Sequence, residues 1–98
     1  LADIELKLVS APKQTFKTRE FSAPFVVKAE NQNGPVVDFD ITVSYPVSKK
    51  DNSIVYDVVQ LKTDADGKIS FKPTGVYFKY SWYTACSKKL SCNCTNML

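Results

Sequence analysis

The 98-residue chain contains no histidine. That removes the commonest general base, the Ser–His and Cys–His nucleophile pairs, and the commonest metal ligand. Long apolar runs are also missing. The longest is Ala23-Pro-Phe-Val-Val27, far short of the ~18 residues a membrane span needs. No basic segment followed by an apolar one opens the chain, so an export signal or lipid anchor would have to lie outside these residues. Glycine is scarce at three residues, which excludes a low-complexity or collagenous chain. Starting at Leu1 with Met97 as its only methionine, the chain reads as an excised module or a processed product.

Charge of one sign is not concentrated either. The net charge is +3, from 13 Lys and Arg against 10 Asp and Glu. The basic residues are interleaved with acids, apart from Lys88 and Lys89 near the end. A nucleic-acid binder gathers its basic residues on one face or helix, so no nucleic-acid partner is expected. What is present is a core-forming composition: 44% apolar residues and twelve aromatics, of which six are Phe, five Tyr and one Trp.

The apolar residues recur with a period of two. Val37, Phe39, Ile41, Val43 and Tyr45 alternate with Asp38, Asp40, Thr42 and Ser44, as in a half-buried antiparallel strand that Pro46 is expected to end. Gly75–Cys86 repeats the pattern, with Val76, Phe78, Tyr80, Trp82 and Thr84 read as the inner face and Tyr77, Lys79, Ser81, Tyr83 and Ala85 as the outer. Ile4, Leu6 and Leu8 alternate with Glu5, Lys7 and Val9. Further strands are expected at Phe16–Phe21, Phe25–Glu30, Ile54–Thr63 and Ile69–Lys72. Turns with positive-φ formers separate them at Asn31-Gln-Asn-Gly34, Lys49-Lys-Asp-Asn52 and Asp64-Ala-Asp-Gly67. No 3.6-residue period runs for ten residues, so little helix is expected. The reading is an all-β, immunoglobulin-like antiparallel β-sandwich of about seven strands. It spans residues 1–86, with a Cys-containing C-terminal tail at 87–98.

Phe25-Val-Val-Lys-Ala-Glu-Asn-Gln-Asn-Gly-Pro-Val-Val37, followed by a strand, a loop and Thr63-Asp-Ala-Asp-Gly-Lys-Ile-Ser-Phe71, resembles bacterial immunoglobulin-like domains of the invasin/intimin type. The resemblance covers roughly residues 20–75. It implies a non-catalytic module of an exported bacterial cell-surface protein or lipoprotein, acting as a spacer or as an adhesion and protein-interaction domain. Its implied partners are neighbouring domains of the same chain and a host or cell-surface protein or glycan. The implied location is extracellular, at the cell surface, or periplasmic. The T-D-x-x-G turn recurs in prealbumin-like collagen-adhesin modules and macroglobulin-like domains, so a structural domain of a larger secreted protein is the alternative. An intramolecular Lys–Asn isopeptide of the collagen-adhesin kind is not expected: Lys7 has no Asn or Asp partner in Gly75–Cys86.

Each chemically suggestive group also has a structural reading. Asp64-Ala-Asp-Gly67 fails as an EF-hand loop, because Lys62 falls at the first ligand position and Pro73 at the twelfth. Asp38 and Asp40, roughly 7 Å apart along a strand, could suit glycosidase chemistry only if one were desolvated. On the polar face both should be solvated and ionised. Tyr77, Lys79 and Tyr83, on the face opposite Trp82, are the candidate binding residues, able to stack on sugars or anchor a partner. Trp82 itself is read as core. Cys86, Cys92 and Cys94 lack the fourth ligand of a zinc site and any support for Cu(I). A disulfide from Cys86 to Cys92 or Cys94 is expected instead, in an exported protein. Asn93-Cys-Thr95 is formally a glycosylation sequon. No acid–base constellation suits catalysis, so neither an enzyme nor a cofactor or metal is expected.

Overall fold

The computed structural model describes residues 4–11, 14–15, 20–21, 23–72, 83–87 and 94–97, and every regular element among them is a β-strand. In chain order these are β1 (Glu5–Ser10), β2 (Gln14–Thr15), β3 (Glu20–Phe21), β4 (Phe25–Asn31), β5 (Gly34–Pro35), β6 (Asp40–Lys50), β7 (Ser53–Lys62), β8 (Lys68–Phe71), β9 (Thr84–Ser87) and β10 (Cys94–Asn96). All described pairings are antiparallel. They form two four-stranded sheets and a short two-stranded ribbon, β2–β3. In that ribbon Gln14 pairs with Phe21 and Thr15 with Glu20. Of the strand expected over Phe16–Phe21, Glu20 and Phe21 are in β3 and the remainder lies outside the described residues.

The first sheet is organised by β4, whose alternation has the clearest burial. Phe25, Val27 and Ala29 are fully buried, while Val26, Lys28 and Glu30 between them are only partly covered. β4 pairs with β1 through Leu6↔Ala29 and Leu8↔Val27. It pairs with β8 through Val27↔Ile69 and closes tightly on β5 through Asn31↔Gly34. At that turn the Asn33 N–H donates to the Asn31 side-chain oxygen at 2.8 Å, and Gly34 takes φ 109°. This is the role read for the Asn-rich segment. Lys7 and Lys28 stand directly opposite each other. Glu30 relieves that repulsion, with Lys7 Nζ at 2.6 Å and Lys28 Nζ at 3.7 Å.

The second sheet runs β10-β9-β6-β7. β6 supplies Ile41 and Val43, both with no exposed surface. Its turn into β7 is the two-residue Asp51-Asn52, at φ 50° and 67°, the positive-φ geometry that suits hairpins. Pro46 does not end the strand. β6 continues to Lys50, with a register shift between Pro46 and Ser48. The β9 ladder reaches only to Ser44 among the described residues, so Pro46 lies beyond it, next to a bulge, where a missing N–H is tolerated. Within residues 87–98, β10 pairs with β9 through Cys94↔Cys86 and Asn96↔Thr84, and Met97 is fully buried. The 86/87 boundary therefore falls inside β9.

Both sheets feed one core. Leu6, Phe25, Val27, Ala29 and Ile69 from the first sheet meet Ile41, Val43, Ala85 and the flanking Phe39, Tyr83 and Met97 from the second. The result is an antiparallel β-sandwich. Thr63-Asp-Ala-Asp-Gly67 does not connect paired strands, as a hairpin turn would. It carries the chain from β7 in one sheet to β8 in the other. Two anchors fix this crossover. The buried Thr63 hydroxyl donates to the Val36 carbonyl at 2.7 Å and accepts the Phe39 N–H at 2.9 Å. Gly67, at φ 74°, offers its carbonyl to the Ala29 N–H at 2.8 Å.

Candidate functional site

Of the three candidate binding residues, Tyr77 and Lys79 lie outside the described residues, as does Trp82. Tyr83 is described, and it is not on a binding face. It is 1% exposed and its ring stacks on Phe25 across the sandwich, centroids 5.7 Å apart. The two-residue alternation survives here, with Ala85 and Ser87 also buried. The face assignment over these residues is reversed. The reason is register: Ala85 pairs with Val43 and Ser87 with Ile41, and partners opposed across a ladder share a face. Thr84 and Cys86, opposite Ser44 and Thr42, therefore point to the outer side of the sheet.

Among the cysteines, Cys86 and Cys94 form the disulfide. They are directly opposed on β9 and β10, with Cα atoms 4.0 Å apart, and Cys94 is exposed. The bond is a staple on the outer surface, tying the last strand to its neighbour. Cys92 lies outside the described residues.

The carboxylates are occupied by structure. Asp38 is not on a regular strand: it takes φ 57°, and β6 begins only at Asp40. This left-handed residue interrupts the alternation, so Val37 is 54% exposed although Phe39 is buried. Lys62 Nζ sits 3.0 Å from Asp40 and 4.0 Å from Asp38. Its ammonium is held above its ordinary pKa, chiefly by the hydrogen bond to Asp40. Asp64 accepts the backbone N–H groups of Asp66 and Lys68, both at 2.9 Å, through one carboxylate oxygen. These bonds hold its pKa below the usual carboxylate range. Its lone pairs thus cap the turn. Among the described residues, no three His, Cys, Asp or Glu side chains converge on a common point where a metal could bind.

What the sequence pattern did not disclose is the place of β7 in its sheet. This strand ends the β10-β9-β6-β7 order among the described residues. Val55, Tyr56 and Val58 on it are exposed, Val58 by 58%. The Val58 N–H is met by the Asp57 side chain, at 2.9 Å. On the inner side, Tyr45 packs on Phe71 with centroids 4.9 Å apart and reaches Asp57 with its hydroxyl at 3.5 Å. Its hydroxyl pKa is raised, first by burial and then by the Asp57 charge. The legible signal was the run Ile54-Val-Tyr-Asp-Val-Val59, four of whose six residues are β-branched. Where that run stands in its sheet is a property of the assembled fold. Compared with protein-family models, curated proteins and solved structures, the chain matches none.

Proposed function

We propose that the chain is a non-catalytic immunoglobulin-like module of an exported bacterial surface protein, resembling the invasin/intimin type. In this reading it serves as a spacer and an interaction surface between neighbouring domains and a cell-surface protein or glycan. The observation that supports it most is the Cys86–Cys94 staple. Structural disulfides persist in oxidising compartments and are rare in the reducing cytosol. The engagement of Asp38, Asp40 and Asp64 in ion pairs and turn caps supports the non-catalytic part. A thiol count on protein from its native cells tests the exported part, by alkylation and mass spectrometry with and without reductant. Cys86 and Cys94 are expected to resist alkylation until reductant is added. Labelling of both without reductant would refute an exported, stapled module.

A further inference from the structure

Among the described residues, β7 is a long strand at the margin of its sheet. It spans ten residues, Ser53–Lys62, with neither proline nor glycine, and every one of them pairs in sequence with β6. The register shift in that hairpin sits in β6, between Pro46 and Ser48, so β7 itself is regular. The first sheet is different, because its marginal strand β1 carries a shift of its own between Leu8 and Ser10. Bulges, prolines and charges are the devices that normally blunt a sheet edge. β7 carries only charges, Asp57 in its middle and Lys62 at its end, where Lys62 is turned to Asp40.

Lys50 and Ser53 close the two-residue Asp51-Asn52 turn as a hydrogen-bonded pair. Along the regular strand, Ser53, Val55, Asp57 and Val59 then turn toward β6 and Val58 turns away, its N–H lying 2.9 Å from Asp57 Oδ1. In an antiparallel pair, a residue turns both its N–H and C=O toward one neighbour, and alternate residues turn the opposite way. The Val58 N–H is therefore an edge donor, and Gln60 faces the same side. Asp57 covers that donor with its own carboxylate.

We propose that β7 is the strand-addition edge for a second copy of this chain, in antiparallel register centred on Val58, with Asp57 as its guard. The register follows from self-complementarity under a twofold axis. Centring on Asp57 would set two Asp57 carboxylates opposite each other. Centring on Val58 pairs Ile54 with Lys62, Tyr56 with Gln60 and Asp57 with Val59 of the second copy, and opposes no like charges. It uses nearly the whole strand and places the most exposed apolar residue of β7 against its own copy. The Val58 N–H exchanges the Asp57 carboxylate for the second copy's Val58 carbonyl. One strand edge is a small interface, so association is weak, on the order of 100 µM.

Sedimentation equilibrium tests this on the full chain, disulfide intact and free thiol alkylated so that no intermolecular disulfide contributes. Loading runs from about 10 µM to about 1 mM to bracket a weak interface. Asp57→Ala is expected to raise the weight-average mass above the 11.0 kDa monomer and to tighten association about three- to tenfold over wild type, the worth of one exchanged hydrogen bond. Adding Val58→Lys is expected to abolish it by placing two lysines on the axis. Val9→Lys, on the exposed part of β1, is expected to change nothing. Asp57→Val, which also removes the acceptor, serves if the alanine variant does not give the wild-type circular dichroism spectrum. A folded, strictly monomeric Asp57 variant at the top concentration overturns the proposal. So does a dimer that survives Val58→Lys or dissolves with Val9→Lys.

Discussion

At the scale of single residues, the crossover between the sheets shows how far one position can be constrained. Gly67 takes φ 74°, and a Cβ there would lie 2.7 Å from the Ala29 carbonyl oxygen and 2.8 Å from Pro35 Cβ. Gly67→Ala combines left-handed strain with a backbone collision and is expected to cost about 2–4 kcal/mol. Gly34 also has positive φ, at 109°, but a Cβ would meet nothing within 4 Å. Gly34→Ala is expected to cost about 1 kcal/mol from conformation alone. Urea denaturation of the two variants separates crowding from strain. Three residues earlier, the Asp64 carboxylate is held below the usual range by backbone N–H groups. A group whose pKa is depressed in the fold stabilises above its unfolded value, near pH 4, and its contribution fades as pH falls through the folded value. Asp64→Asn should therefore lose the part of the acid-side stability loss that lies below about pH 4. Melting temperature against pH for the two proteins measures it.

At the scale of elements, strand positions were legible because alternation and turn chemistry are local. Phe25–Glu30 was expected and Phe25–Asn31 is observed; Ile54–Thr63 became Ser53–Lys62, and Ile69–Lys72 became Lys68–Phe71. Pairing was less legible. The cysteine spacing left Cys92 and Cys94 equally open as partners for Cys86, and only the β9–β10 register decides for Cys94. Thr63 ends the strand expected at Ile54–Thr63, yet its hydroxyl bridges to Val36 and Phe39, a consequence of the crossover. The disulfide closes a short loop, with a sequence separation of 8. Loop-closure entropy assigns such a staple about 2.5 kcal/mol. Reduction, or Cys86→Ala with Cys94→Ala, should lower the unfolding free energy by about that much while the circular dichroism spectrum stays β-rich. A loss below ~0.5 kcal/mol would mean that β10 is held by Met97 and its ladder alone.

At the scale of the whole molecule, the two sheets share one core, and Tyr83 spans it to Phe25. Tyr83→Ala is expected to cost about 3–5 kcal/mol, as for other large-to-small core changes. A residue on an exposed binding face would cost within about 0.5 kcal/mol, so chemical denaturation of this variant checks the inverted face directly. The resemblance to invasin/intimin modules rests on turns that any β-sandwich can use. The proposed function therefore leans on the disulfide, and the proposed self-association on the β7 edge.

The sequence by itself determined the all-β class, the strand segments and the turns, because a two-residue period and positive-φ formers act over a few neighbouring residues. Residue identity alone also sets Asp64-Ala-Asp-Gly67 apart from an EF-hand loop, since Lys62 and Pro73 stand where its first and twelfth ligands would be. The tertiary structure decided which face of residues 83–87 turns inward, which cysteine Cys86 meets, and which strand is left at the margin. Those outcomes depend on cross-strand register. A shift of one residue inverts every side chain while leaving the local pattern unchanged.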